Sequence, residues 1–225
     1  MQRLVILGAG GNSPGVIDAI EAINALDPGN PRYRIEGILD DIPDNLGRVV
    51  HGCKVLGTIA QARTLADCRF VNGISSVASF RLMPEIVRRT AIDAARFETI
   101  VHPRATIASS ARIGRGSVVL AGSVLCPDCA VGDHVIILQN SSVNHDARVG
   151  DFATLSAGVT VLGHVEIERN AFVGGGASIA PRVRIGESAL VGLGSVVIHD
   201  VSAGSVVAGN PAREIPNSRY ALRGA

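Results

Sequence analysis

The second half of this 225-residue chain repeats every six residues. Every sixth position from Val101 to Val197 is aliphatic, and the residue four places after each of them is Ala, Ser, Cys or Val. A period of six fits neither the turn of an α-helix nor the two-residue alternation of a half-buried β-strand. It predicts a parallel β-helix of the hexapeptide class, in which three hexads form one triangular coil and both sets of positions point inward.

The composition supports a column built from small, similar positions. Hydrophobic residues make up 47% of the chain, but only 3% of the chain is aromatic. Coils spaced about 4.8 Å apart, like the strands of any sheet, would give a column roughly 27 Å tall. Glycine often follows the aliphatic position, and we expect these glycines to supply the permissive backbone that a corner needs. They are Gly114, Gly132, Gly150, Gly174, Gly186 and Gly192.

Charge and hydropathy exclude several classes of partner. The formal net charge of +1 does not favour nucleic acid or an anionic membrane, and no apolar run approaches the roughly 20 residues of a membrane helix. The first residues, "MQRLVILGAGG", are interpreted as a strand of a cytoplasmic protein, because they lack the layout of a signal peptide. The cysteines of "CPDC" (126–129) have no second pair to complete a zinc site, so we expect reduced thiols, with Cys129 buried, and no metal.

The first hundred residues have the pattern of a small α/β domain. "RLVILGAGGNSPGVIDAIEAIN" predicts a strand, a glycine loop and a helix whose N-terminus favours an anion. "YRIEGILDD" predicts a second strand, and its final Asp40 and Asp41 are candidates to hold a ribose or a base. A strand at "RFVNGIS", a helix near 82–95 and a strand at "FETIVHP" complete a βαβ unit with a parallel sheet. The loop is G-x-G-x-x-S, not the full dinucleotide fingerprint, and the second half contains nothing that would use a hydride.

The hexad pattern, together with the ending "GSVVAGNPAREI" (204–215), resembles the hexapeptide-repeat acyltransferases. The resemblance implies a left-handed β-helix over residues 101–215, after a Rossmann-like, nucleotide-sugar-binding domain over 1–100 and before a tail over 216–225. It also implies a homotrimer, with acyl-coenzyme A in the groove between adjacent columns.

The order of the two parts is similar to that of the sialic-acid O-acetyltransferase type of sugar acyltransferase, and to N-acetyltransferases of UDP-linked 4-amino sugars in bacillosamine synthesis. This resemblance implies acetyl-CoA-dependent acetylation of a nucleotide-linked amino sugar in polysaccharide biosynthesis. Acetylation of a sugar or sialic-acid-like hydroxyl is the alternative. The implied nucleotide-sugar contacts are Gly10, Gly11, Asn12, Asp40 and Asp41, and Asn12 stands where the family usually has His.

Two histidines compete for a catalytic role. His145 and His199 both occupy the third position of a hexad and both precede an aspartate, so periodicity alone does not choose between them. One coil beyond His145 lies Gly163, which has no side chain to block the imidazole, and "NHD" (144–146) resembles the family's catalytic motif. We therefore predict His145 as the catalytic residue, with Asp146 as its partner. His51 and His102 have no acidic neighbour in sequence, and His134 and His164 are expected to be ordinary surface residues.

The predicted chemistry is general-base catalysis. An amine or hydroxyl must lose its proton as it attacks a thioester, and a free imidazole, with a pKa of about 6.5, can accept that proton at neutral pH. A neighbouring carboxylate stabilises the imidazolium that forms. By residue-for-residue match to the family, coenzyme A would contact Thr154, Gly163, Gly175 and Leu193, along the same face as His145. Thr154 stands where the family commonly has a second His.

Two other functions are kept as alternatives. A γ-type carbonic anhydrase needs three zinc-binding histidines, and His134, His145 and His164 are the available set. A non-catalytic scaffold that binds nucleotide-sugars would explain why Asn12 and Thr154 replace two histidines.

Overall fold

The computed structural model describes residues 1–216, Ser218 and Tyr220. Its N-terminal part is a five-stranded sheet, in which three parallel pairings are completed by one antiparallel pairing at the edge. The strands, in their order across the sheet, are Val49–Val50, Cys53–Gly57, Tyr33–Leu39, Gln2–Leu7 and Arg69–Asn72. The predicted first strand, glycine loop and second strand therefore occur in this sheet.

Two α-helices accompany this sheet, at Ser13–Asn24 and Met83–Arg89. The first begins with Pro14 in its opening turn, where a missing N–H costs no hydrogen bond, and it buries Val16, Ile17 and Ile20 along one face. Short 3₁₀ turns lie at Pro43–Asn45, Ile59–Thr64, Phe80–Leu82 and Ala94–Arg96. The helix predicted near 82–95 is thus a shorter α-helix between two such turns.

The second half is a parallel β-helix whose two-residue strands stack into three sheets, which we call faces 1, 2 and 3. Face 1 contains Ile100–Val101, Val118–Val119, Ile136–Ile137, Thr154–Leu155, Phe172–Val173, Leu190–Val191, Val206–Gly209 and Ala212–Glu214. Face 2 contains Thr106–Ile107, Val124–Leu125, Ser142–Val143, Thr160–Val161, Ser178–Ile179 and Val196–Val197. Face 3 contains Arg112–Ile113, Ala130–Val131, Arg148–Val149, Glu166–Ile167 and Arg184–Ile185. The stacked parallel strands predicted from the hexads are confirmed.

One predicted strand belongs to a different sheet from the one expected. Ile100–Val101, from "FETIVHP", pairs with Val118–Val119 and opens face 1 instead of joining the N-terminal sheet. Only Phe97, earlier in the same segment, makes a bridge to that sheet, at Phe70. The connection between the two parts is therefore short and ordered, since the chain passes directly from one sheet into the other.

The core of the β-helix consists of the two predicted sets of positions. From Val119 to Val197 every aliphatic position is buried, and the small positions between them fill the same cluster. Serines in the small position are satisfied within the column; the Ser117 hydroxyl donates to the Gly132 carbonyl and accepts from the Val135 N–H. A polar atom buried without such a partner would cost roughly 1–3 kcal/mol.

The structural reason for the glycines that follow the aliphatic positions differs from the one predicted. Their backbone does not adopt positive φ; instead, each lies against the next coil. A Cβ built on Gly150 or Gly174 would lie 2.6 Å from a backbone nitrogen of that coil, and on Gly186 it would lie 2.5 Å from one. Positive φ occurs two residues later in the hexad, where the residue is Gly, Asp, Asn, His, Phe, Arg or Ser. Close coil stacking, and not corner geometry, therefore requires these glycines.

The N-terminal part packs on face 1. Val16 and Ile20 of the first helix share a buried cluster with Ile100, Val118 and Leu120. A second contact lies farther along the column, where the Phe80 and Phe172 ring centroids are 5.4 Å apart. Face 1 is therefore covered by the N-terminal part, and the corner between faces 2 and 3 is opposite this cover.

Partly buried Arg81 holds the N-terminal part against the column at the far end of this contact. Its guanidinium donates to the carbonyls of Ser188, Gly204 and Tyr220. Burial lowers the pKa of Arg81. Of the predicted tail, Pro216, Ser218 and Tyr220 are described, and the other residues of 216–225 lie outside the described residues. Within the described part of the chain, no helix has the length and hydropathy needed to cross a bilayer.

Candidate active site

His145 and Asp146 lie on the corner between faces 2 and 3, in the turn that links Ser142–Val143 to Arg148–Val149. The His145 Nδ1 is 2.9 Å from the Asp146 Oδ2, and both side chains are about half exposed. Asp146 adopts φ +59°, a left-handed conformation that Asp tolerates better than most residues. The turn therefore holds the carboxylate against one ring nitrogen and leaves the rest of the imidazole open.

Gly163 lies one coil farther along the same corner, directly against the imidazole. A Cβ built on Gly163 would lie 2.6 Å from both Cε1 and Nε2 of His145. The Gly163 N–H donates no hydrogen bond within the described part of the chain. Any side chain at this position would displace the His145 ring, so the absence of one keeps Nε2 accessible.

His164 is the member of this corner that sequence reasoning missed. Its ring meets the His145 ring edge to face at a centroid distance of 5.2 Å, and its Nε2 is 3.9 Å from the Asp146 Oδ2. The His164 N–H donates to the His145 carbonyl, which fixes the two coils relative to each other. A spacing of one coil plus one residue is the signal that could have found it.

The carboxyl group of Asp146 stays ionised in this setting. The hydrogen bond with His145 lowers the pKa of Asp146, and the positive charge that His164 can carry adds to that shift. The carboxylate lies against Nδ1 of the imidazole, where it can stabilise a positive charge that develops on the ring during proton transfer. The pair can therefore accept a proton at Nε2 and stabilise the resulting charge through Nδ1.

The predicted coenzyme A contacts do not lie on one face with His145. Gly175 and Leu193 are on the corner between faces 1 and 2, and Thr154 belongs to a strand of face 1. Only Gly163 shares the corner of His145. The expectation of one continuous face within a single chain is wrong, because the offset from His145 to Gly175 or Leu193 is not a whole number of coils.

An apolar cavity opens beside two of these residues. It has a volume of about 600 Å³ and is lined by Gly175, Leu193, Phe172 and Tyr220, among others. Leu193 is 83% exposed, and its side chain forms part of the apolar rim of this cavity. The volume and the apolar lining of the cavity suit part of a ligand on this corner.

A second cavity lies at the glycine loop of the N-terminal part. It has a volume of about 450 Å³, and its lining includes Gly10, Gly11, Asp40, Asp41 and Arg89. A Cβ built on Gly10 or Gly11 would meet no atom within 4 Å, so the loop borders open space. The predicted nucleotide-sugar residues are therefore brought together, with the exception of Asn12, which is not in the lining.

The two acids shape this cavity through bonds of their own. Asp40 accepts hydrogen bonds from the backbone N–H groups of Ala9 and Ile42, at 2.7 and 2.8 Å. Asp41 accepts from the Ile59 N–H at 2.9 Å and pairs with Arg89 at 2.9 Å. Asp40 thus fixes the glycine loop, while Asp41 positions Arg89, a cation that the sequence reasoning had overlooked.

The two positions that differ from the family pattern are connected in space. The Asn12 side-chain amide donates to the Ser75 carbonyl at 3.0 Å, and the Ser75 hydroxyl lies 2.6 Å from the Thr154 hydroxyl. Thr154 is almost completely buried, whereas Ser75 lines the cavity of the glycine loop. Neutral hydrogen bonds therefore link the loop to face 1 at the place where two histidines were expected.

His134 was predicted to lie on the surface, and this prediction is wrong. It is only 8% exposed, stacked on Phe152 at a centroid distance of 4.9 Å and contacted by the edge of Phe97 at 4.5 Å. Phe152 is one coil away in the repeat, but Phe97 comes from the N-terminal part, so a contact from outside the column completes the burial of this ring. His134 lies on the corner between faces 3 and 1, and not on the corner of His145 and His164, so the three histidines do not converge within one chain.

The burial of His134 predicts a pH-dependent stability. Burial lowers the pKa of His134, an effect that Asp133 and Asp151 oppose, and its Nδ1 has no hydrogen-bond partner within the described residues. The unfolded chain then binds the proton more readily than the folded chain. Stability is fully present above about pH 6.5, the ordinary imidazole pKa, and is lost as the pH falls below that value.

The measurement is the midpoint of thermal unfolding between pH 7.5 and pH 5, compared with His134→Phe. Phe fits the stack and the left-handed backbone, since Phe152 occupies the equivalent position at φ +60°. We expect the midpoint of the wild type to fall more steeply than that of the variant. Equal slopes for the two proteins would show that His134 does not control this dependence.

Comparison with known proteins supports the fold over nearly the whole chain. No protein-family model and no curated protein matches the sequence. Among solved structures, the acetyltransferase domain of PglB from Neisseria gonorrhoeae, in complex with acetyl coenzyme A, is 27% identical, with a TM-score of 0.78 over 95% of this chain and 99% of that one. PerB from Caulobacter crescentus, in complex with CoA and GDP-perosamine, is 28% identical, with a TM-score of 0.80 over 96% and 98%. WeeI from Acinetobacter baumannii, 24% identical with a TM-score of 0.79 over 96% and 100%, shares the fold.

Proposed function

We propose that this chain transfers an acetyl group from acetyl-CoA to the amino group of a nucleotide-linked sugar. The chain is an acyltransferase that uses acetyl-CoA, as its likeness to acetyltransferases with acetyl-CoA or CoA bound indicates. The nucleotide-sugar substrate is supported by PerB, a perosamine N-acetyltransferase whose structure holds GDP-perosamine. The observation that carries the mechanism is the exposed imidazole of His145, paired with Asp146 and open at Nε2 over Gly163.

His145 acts as the general base in this proposal. Its Nε2 accepts a proton from the attacking amine, while Asp146 stabilises the imidazolium through Nδ1. The thioester oxygen becomes an oxyanion as the amine attacks, and the Gly163 N–H is the candidate donor to it. The oxyanion then collapses, the C–S bond breaks and coenzyme A leaves as a thiolate, which takes up the proton that His145 removed and so frees the imidazole for the next turnover.

The proposed site requires two copies of the chain. His145 is on the corner opposite face 1, whereas the glycine-loop cavity belongs to the part that covers face 1. Gly175, Leu193 and Thr154 are likewise away from the His145 corner. A homotrimer, in which the His145 corner of one copy approaches the cavity and the 1–2 corner of the next, brings His145, the glycine-loop cavity, Gly175 and Leu193 to one cleft, while Thr154 stays buried beside Ser75.

The N-terminal part binds the nucleotide-sugar in this proposal. Residues 1–100 form the Rossmann-like domain, and residues 101–215 form the β-helix, for which we propose a left hand. The open space at Gly10 and Gly11, beside the first helix, suits a diphosphate, and Arg89 supplies a positive charge to the same cavity. Asp40 supports the glycine loop by accepting a hydrogen bond from the Ala9 N–H. The Asn12 side-chain amide donates to the backbone carbonyl of Ser75 and so positions Ser75.

The proposal is tested by release of free thiol from acetyl-CoA in the presence of UDP-, dTDP- and GDP-linked 4-amino sugars. We expect thiol release with at least one of these sugars and an N-acetylated product in the mass spectrum. A matched sugar with a 4-hydroxyl group in place of the amine separates N- from O-acetylation. Binding of acetyl-CoA without thiol release for any sugar would favour a non-catalytic scaffold.

A further inference from the structure

His145, Asp146 and His164 form a three-sided cluster of metal-ligating groups on the 2–3 corner. One ligand atom from each lies within 4.8 Å of the other two. The shared atom is Asp146 Oδ2, which is 2.9 Å from His145 Nδ1 and 3.9 Å from His164 Nε2. The cluster is therefore compact before any ion is considered.

The separations fit a tetrahedral ion with small adjustments. Zinc bonds of about 2.0–2.2 Å to imidazole nitrogen and carboxylate oxygen give ligand separations of roughly 3.3 Å. Two of the three separations, 2.9 and 3.9 Å, lie on either side of this value, and the third, between the two imidazoles, is within 4.8 Å. All three side chains are exposed and can rotate, while the His164 N–H bond to the His145 carbonyl holds their backbones in place.

We propose that His145, Asp146 and His164 bind one divalent transition-metal ion of the zinc class per chain. Two neutral imidazoles and one carboxylate are the donor set that zinc, nickel and copper prefer, whereas magnesium and calcium prefer oxygen ligands alone. Water occupies the fourth position, since the corner is open to solvent. His134 takes no part, so the site is distinct from the carbonic anhydrase triad considered above.

The equivalent pair on the same corner provides an internal comparison. His199 and Asp200 occupy the same hexad positions as His145 and Asp146. They lie on the same corner, two coils beyond Gly163. Within the described residues, no third His, Cys or acid joins them in a group of this kind. A histidine followed by an aspartate is thus not enough to form a three-ligand cluster, and His164 supplies the third ligand of the proposed metal site.

Metal binding at this cluster would inhibit acetyl transfer. The ion draws His145 and Asp146 into its coordination shell, so the imidazole can no longer accept a proton from the amine. This consequence rests on the proposed function, whereas the binding itself does not. The binding test below contains no acetyl-CoA or sugar, so its failure is distinct from a failure of the catalytic proposal.

The experiment is calorimetric titration of the metal-free, full-length protein with zinc chloride at pH 7.5, in a buffer that does not chelate zinc. We expect one ion per chain, no heat with magnesium chloride, and an affinity at least about tenfold weaker in His164→Ala, because loss of even an outer-shell partner has that effect. His199→Ala should bind zinc like the wild type. Circular dichroism of each variant checks that the column is folded.

Two results would overturn the proposal. One is equal zinc affinity in the wild type and His164→Ala, which would assign binding to other groups. The other is the absence of saturable binding by the wild type. In the thiol-release assay, zinc should inhibit the wild type reversibly, with recovery after addition of a chelator, and this inhibition should require a higher zinc concentration for His164→Ala.

Discussion

Replacement of His145 by alanine is expected to lower the turnover of acetyl transfer by at least about a hundredfold, within the usual range for a general base. A hundredfold loss corresponds to about 2.7 kcal/mol of transition-state stabilisation. The imidazole is exposed and lies against Asp146, Gly163 and His164 on the surface of the column, so its removal leaves the core of the column untouched. The measurement is the rate of thiol release at saturating acetyl-CoA and sugar.

Two controls separate catalysis from folding in this experiment. His199→Ala removes an exposed imidazole from the same corner, next to Asp200, and should keep full turnover. The affinity of His145→Ala for acetyl-CoA should stay within a factor of about three of the wild type, because a general base stabilises the transition state and not the bound ground state. A turnover of His145→Ala close to that of the wild type would reject the catalytic assignment.

A substitution that adds a side chain at Gly163 would test the role of this glycine in the same mechanism. It is not independent of the first, because a Cβ at Gly163 would displace the ring of His145. For that reason the alanine variant of His145 remains the cleaner comparison. His145→Ala removes the imidazole without creating a steric clash. A side chain added at Gly163 would change Gly163 and also displace the imidazole of His145.

The repeat alone predicted most of the β-helix. Because every sixth residue points inward, an unbroken aliphatic series fixes both the strand positions and the face on which each residue lies. The order of faces follows from counting coils, and the same count shows why His145, Gly163 and His199 share a corner. Applied to Gly175 and Leu193, it would have shown that they belong to a different corner.

The parts that the repeat did not predict depend on contacts from outside the column. His134 is buried because Phe97 packs on it, and Thr154 is buried because Ser75 reaches it from the N-terminal part. No periodicity within residues 101–215 contains that information. The glycine positions were found correctly, but their cause was not, since the close approach of successive coils is visible only in three dimensions.

The sequence predicted most of the residues that line the cavity at the glycine loop, but not the role of each of them. Gly10 and Gly11 border open space as the motif suggested, but Asp40 is engaged by the Ala9 and Ile42 N–H groups. An acid at the end of a strand can support a loop as well as hold a ribose, and sequence does not distinguish the two. Arg89 enters the cavity from a helix that the glycine motif does not include.

Mixing two inactive variants is expected to restore activity if the site lies between copies. His145→Ala lacks the base but keeps the glycine-loop cavity. Gly11→Phe keeps the base and fills the cavity, because a side chain at Gly11 would extend into open space without a clash. Each variant alone should show at least a hundredfold less turnover than the wild type, within the range for loss of a general base in the first case.

The expected recovery follows from the closed symmetry of a trimer. Each cleft takes His145 from one copy and the cavity from the next, so a trimer that contains both variants has both halves intact in one of its three clefts, and about a third of the clefts in the doubly purified protein are active. The measurement is thiol release after co-expression of the two variants with different affinity tags and purification through both. A site contained within one chain gives no recovery at all, because every chain in the mixture carries one defect. His145 lies on the corner opposite the covered face of its own chain, and this placement is what makes recovery the expected result.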